Sequence, residues 1–133
     1  MSAAFYSKPW YHGSPLRITI LKAGSTITQD RSLARIFSHE PTFVSIDEGG
    51  LIKHNGKAEG FLYAISGKVG TNDVTPHPDS RMESGKEWLT LQPLEVRLIG
   101  PTKIVRGEVL SEAEIAMLRK ILEGQQPGKL RPP

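Results

Sequence analysis

Apolar and polar positions alternate over short distances and divide the chain into many small elements. "PWYHG" (9–13) is aromatic-rich and is stopped by Gly13 and the Ser14-Pro15 turn, which predicts a first strand. "RITIL" (17–21) alternates and predicts a short edge strand or a loop packed on the core. "ARIFSH" (34–39) reads as another strand, and Pro41 in "EPTFVSI" (40–46) suits the first turn of a helix. "IKHNGKAEG" (52–60) is turn chemistry, whereas "GFLYAISG" (60–67) is the clearest buried strand, an apolar run closed by glycines. "TNDVTPHPDSRMESGK" (71–86) predicts a long polar, ligand-facing loop. "EWLTL" (87–91) and "LEVRLIG" (94–100) follow as strands split at Gln92-Pro93, with "TKIVRGEV" (102–109) as a further one.

One helix is well marked. Ser111 and Glu114 form a capping box, and Ile115, Leu118, Ile121 and Leu122 recur on one face until Gly124. Five or six strands with one or two helices predict a single α+β domain over residues 1–124. The stretch "QQPGKLRPP" (125–133) is expected to be a flexible tail.

Composition narrows the class. The 133 residues suffice for one core, and 38% hydrophobic with 23% charged residues describe a globular chain. A net charge of +3, from 17 basic and 14 acidic residues, is too small and scattered to argue by itself for nucleic-acid binding. The absence of cysteine excludes disulfides, thiolate metal sites and a cysteine nucleophile. No apolar run approaches the ~20 residues of a membrane span, and the N-terminus lacks a signal-peptide pattern. The expectation is a soluble cytoplasmic protein without a membrane partner. His39, His54 and His77 match no metal spacing and are read as three surface histidines, so no metal site is expected.

Four polar features stand where a strand-rich layout would be better without them: His12 at the end of the first strand, the Phe37-Ser38-His39 step, Asp73 with Asp79 in the long loop, and Glu87 beside Trp88. An imidazole beside glycine offers a hydrogen-bonding ring next to backbone that a ligand approaches closely. A carboxylate beside an aromatic wall binds a hydroxyl or stabilises a developing cation.

"YHGS" (11–14), "IFSHEPTFVSI" (36–46) and "EWLT" (87–90) resemble the three signature segments of the ADP-ribosyltransferase fold, most like its small bacterial branch of rifampicin-modifying enzymes. The resemblance runs over residues 9–106 as short motifs. It implies split antiparallel β-sheets with few helices and a C-terminal helix, with NAD as co-substrate in the cleft between the sheets. It implies mono-ADP-ribosyl transfer from NAD to a small molecule, protein or nucleic acid, with release of nicotinamide.

Carried over by position, the resemblance makes Tyr11, His12, Gly13 and Ser14 the step that holds NAD. The His12 ring would bond a ribose hydroxyl, and the Gly13 backbone would meet the nicotinamide carboxamide. Phe37, where the family usually has tyrosine, would stack on the nicotinamide, and Ser38 would support the turn. Glu87 is the implied catalytic acid, with Asp73 second. Acceptor contacts are expected from loop 71–86. The phenylalanine at 37 leaves room for a catalytically silent nucleotide-binding domain. An RNA 2′-phosphotransferase of the same fold, using His39 with Arg31 and Arg35, and an unrelated interaction module are further alternatives.

Overall fold

A computed structural model describes residues 3–80 and 82–130. Helix α1 (Ala3–Tyr6) leads into β1 (Tyr11–Ser14), followed by β2 (Ile20–Leu21), β3 (Thr26–Ile27) and helix α2 (Arg31–Phe37). Strands β4 (Val44–Ile46), β5 (Ile52–His54), β6 (Phe61–Ile65), β7 (Val74–Pro76), β8 (Trp88–Thr90) and β9 (Leu94–Pro101) come next. A 3-10 turn (Arg106–Glu108) precedes helix α3 (Glu112–Leu130).

The protein is α+β, with mostly antiparallel sheets and few helices. Three sheets have the orders β1-β6-β9-β2, β3-β8-β7 and β4-β5. The first two meet at one antiparallel bridge, Tyr11–Thr28, closed by both reciprocal backbone bonds. Around this seam lies the apolar core of Trp10, Leu21, Ile27, Ile65, Val69, Val74 and Trp88. The Trp10 and Trp88 rings meet edge-to-face with centroids 5.4 Å apart, and Phe5 and Tyr6 close over them from α1. Aromatic edges are favoured against aromatic faces, so α1 is held by its rings despite having only one turn.

The expected strand "ARIFSH" is instead part of α2. Asp30 accepts from the Leu33 amide as N-cap, and Leu33, Ala34 and Ile36 bury one helical face. No helix opens at Pro41. Glu40 takes a left-handed φ of 54° that ends the α2 turn, and the chain then extends into β4, which pairs with β5 inside the expected turn segment. "TKIVRGEV" is not a strand either. The Thr102 amide bonds the Gly60 carbonyl at the end of the β6–β9 ladder, after which the chain curls into the 3-10 turn.

The capping box forms as read, with Ser111 N–H donating to Glu114 (2.9 Å) and Glu114 N–H to Ser111 (3.1 Å). α3 continues past Gly124 to Leu130, so residues 125–130 of the expected flexible tail are helical instead, and residues 131–133 lie outside the described residues. Among the described residues no helix is long and apolar enough to cross a membrane.

Candidate functional site

The site begins where β1 parts from β3. Ile65 N–H donates to the Trp10 carbonyl, while Tyr11 exchanges both its backbone bonds with Thr28. Peptide groups alternate along a strand, so those of Trp10, His12 and Ser14 point toward β6 and those of Tyr11 and Gly13 toward β3. Pairing with β3 stops after Tyr11. Where Gly13 would next meet Thr26, the Thr26 carbonyl is taken by His12 Nδ1 at 2.7 Å. Among the described residues the Gly13 amide and carbonyl have no hydrogen-bond partner on that edge.

The carbonyl partner of His12 sets its tautomer. A carbonyl only accepts, so Nδ1 carries the proton and Nε2 is left as an acceptor. Burial holds the His12 pKa below the ordinary histidine value, and the Thr26 carbonyl opposes this only partly. The ring is therefore neutral at pH 7 and can accept a hydroxyl proton.

Gly13 has a packing reason as well. A Cβ there would stand 1.9 Å from the Ala34 carbonyl oxygen and 2.7 Å from the Ser38 amide, because the last turn of α2 lies directly on it. Ser38 is fully buried and secures that turn, donating to the Arg35 carbonyl and sharing a 2.7 Å hydrogen bond with Thr102 Oγ1. Ser14 Oγ accepts from the Leu16 amide and closes the turn after β1. The Tyr11 ring lies under the Arg31 guanidinium, 5.9 Å from its centroid.

Phe37 and Glu87 line one cavity of about 370 Å³, with Phe43, His77, Asp79 and Met82 around them and Leu118, Ile121 and Leu122 of α3 along one side. Thus the apolar stripe of α3 faces this cavity. Glu87 accepts from the Ser80 hydroxyl at 2.6 Å, and its carbonyl accepts from the His77 amide. Neighbouring Lys86 pairs with Asp30, the α2 cap. Among the described residues, only one of the two Glu87 carboxylate oxygens has a hydrogen-bond partner.

His12 and Asp73 do not line this cavity. Strand alternation puts His12 with buried Trp10 and sends Glu87 to the face opposite buried Trp88. Asp73 folds back on its own turn, accepting from the Gly70 amide at 2.8 Å and from the Gln92 side chain. Both oxygens are occupied, which is the behaviour of a turn aspartate.

The histidine reading needs correction at two positions. His39 and His54 are fully buried, with rings stacked at 5.2 Å and an interplanar angle of 15°. Their Nδ1 atoms are satisfied by the Ala58 carbonyl and the Gly56 amide. Loop 55–58 supplies these partners, and no spacing in the sequence announces them. Beside the rings lies the Arg35–Glu108 ion pair (2.6 Å), also missed. A helical reading of 31–37 from Asp30 would have shown that Arg35 and buried Leu33 and Ile36 point to different sides. Among the described residues no three His, Asp or Glu side chains are grouped to hold a metal ion.

No family model, curated protein or solved structure matches the chain.

Proposed function

We propose that the protein is an NAD-dependent mono-ADP-ribosyltransferase. The observation that carries this reading is the open Gly13 peptide edge, which lies beside the sheet split and beneath the end of α2. A half-buried amide and carbonyl left without partners on one residue match the carbonyl and amino group of a carboxamide. His12 Nε2 accepts from a ribose hydroxyl, Phe37 gives the nicotinamide an aromatic face, and Glu87 bonds the ribose and stabilises the oxocarbenium character as the C1′–nicotinamide bond breaks. The acceptor nucleophile bonds C1′, its proton passes to Glu87, and nicotinamide leaves. Strand alternation requires a bound NAD to pass around the split to meet both His12 and Glu87.

A second reading, nucleotide binding without turnover, is favoured by two features. Position 37 lacks a hydroxyl, and Ser80 already engages Glu87.

The test is nicotinamide release from NAD by the full chain, beside calorimetric NAD binding. Wild type should release nicotinamide, Glu87→Gln should lower the rate by about 10²–10³-fold, and His12→Ala should weaken NAD binding. Asp73→Asn should leave the rate unchanged. Binding without release would move the conclusion to the second reading, and absence of both would end the NAD proposal.

A further inference from the structure

On the other side of α2 from the Phe37–Glu87 cavity, the β1-β6-β9 sheet carries a second groove. Its two sections, of about 300 and 370 Å³, share Arg31 and Ile99 and so form one continuous depression. It has no lining residue in common with the Phe37–Glu87 cavity.

The sheet register explains the depression. Tyr11, Ala64 and Arg97 stand directly opposite one another on three adjacent strands, and Leu62 pairs with Gly100 in a neighbouring row. Ala64 and Gly100 are too small to fill the space between α2 and β9. Tyr11 and Arg97 thus face each other across about 10 Å, two strand spacings, with a low floor between them.

The charge of the groove is unbalanced. Arg35, at one end, is paired with Glu108. Arg31 and Arg97 have no carboxylate partner among the described residues, and both are exposed. Glu95, two residues before Arg97, does not line the groove. Arg31 is steadied by the Tyr11 ring, and Ser32 adds a hydroxyl donor beside it. Two guanidiniums without a carboxylate partner among the described residues, lining one groove with a hydroxyl at its rim, match a tetrahedral dianion, because the planar fork of arginine meets phosphate oxygens in pairs.

We propose that this groove is a phosphate-binding site, in which Arg31 and Arg97 clamp a phosphoryl group and Ser32 donates a third bond. The site is separate from the NAD reading and does not depend on it. The same phosphoryl chemistry comes from a small phosphorylated ligand or from a nucleic-acid backbone.

The test uses the full chain at low salt and calorimetric titration with pyrophosphate, adenosine 5′-monophosphate, adenosine and a single-stranded ten-nucleotide DNA. At least one phosphate-bearing probe should bind, and adenosine should not. Arg31→Gln and Arg97→Gln should each weaken binding about tenfold, the scale of a lost charge-assisted hydrogen bond. Arg97→Lys should recover part of that loss. Arg17→Gln, which removes an equal charge from the opposite sheet face beside Phe61, should change affinity less than twofold. Thermal unfolding should be the same for all four variants.

Comparable binding of pyrophosphate and DNA would identify the small phosphorylated ligand as the source. Binding of DNA alone, with the salt slope reduced by about one for each arginine removed, would identify a nucleic-acid backbone. Either result supports the site. An equal loss in Arg17→Gln, binding of adenosine as tight as its monophosphate, or failure of every phosphate probe at millimolar concentration would overturn it.

Discussion

Trp88 and His39 are both almost completely excluded from solvent, yet one meets Phe5, Tyr6 and Trp10 while the other meets a second imidazole. The aromatic half needs few hydrogen bonds: the two indole N–H groups donate to the Tyr6 and Gly85 carbonyls, and apart from the Tyr6 hydroxyl the remaining ring atoms are carbon. The polar half is underprovided. His39 Nε2, His54 Nε2, Arg35 Nη1 and Glu108 Oε1 are all buried without a partner among the described residues. A buried polar group left unpaired costs about 1–3 kcal/mol, so stability resides in the aromatic half. The other half is held at a cost and is the more sensitive to pH.

The largest effect should follow from removing the centre of the aromatic half. Trp88→Ala deletes a ring that touches three others, and large-to-small core changes of this kind destabilise by about 3–5 kcal/mol. Urea unfolding should report a loss in that range. A loss under about 1 kcal/mol would mean that the division of the interior is wrong.

Gly13→Ala tests the join between sheet and helix. The new methyl meets the Ala34 backbone carbonyl, which cannot rotate away, so α2 must lift. Overpacking costs about 1–3 kcal/mol, and the upper end is expected here because the obstacle is backbone. Lifting α2 moves Phe37 and Ser38 too, so a near-neutral Gly13→Ala would show that the helix end is loose.

His54 of the polar half, together with His12 beside the aromatic half, should declare itself in acid. Burial, His39 and Arg35 lower the His54 pKa against the opposing pull of Glu108, and burial lowers that of His12. Both rings are therefore neutral in the fold, while the unfolded chain takes up protons near pH 6.5. Their contribution is complete above that value and is lost as pH falls below it, because the unfolded state then binds more protons. Melting temperatures should be level from pH 8 to about 6.5 and decline toward pH 5. In His54→Asn the amide oxygen can still accept from the Gly56 amide, and the decline should be shallower. An unchanged slope would place the titration elsewhere.

Legibility from sequence followed the same division. Strands β1, β6, β8 and β9 and the start of α3 were readable because their signals are local: apolar runs closed by glycine or proline, and a capping box. Trp88 opens β8 and Trp10 directly precedes β1, so both lie in segments readable as strands. Taken alone, "ARIFSH" reads as a strand and α2 stays hidden. Its cap, Asp30, lies outside that window, and the spacing of Leu33, Ile36 and Phe37 appears only when the window is widened. Of the candidate site, Phe37 and Glu87 do share a cavity, but the burial of His39 and His54 depends on partners from loop 55–58. No pattern within either histidine's own segment contains that information.

The smallest expected effect lies at the turn that leads into the polar half. Glu40, next to His39, is exposed and adopts a φ of 54° just before Pro41. The left-handed region costs an L-residue roughly 1–2 kcal/mol, and a following proline restricts the backbone further. Glu40→Gly removes that strain but frees the unfolded chain, which costs about 0.4–1 kcal/mol. No side-chain hydrogen bond of Glu40 is present among those described, so strain relief should win by about 0.5 kcal/mol, visible as a slightly higher melting temperature. The same substitution should leave the acid-induced decline unchanged, because it removes strain without altering the imidazoles. A destabilisation of similar size would show that the turn is held by its side chain, and the strain would then have to be removed from the cost assigned to the polar half.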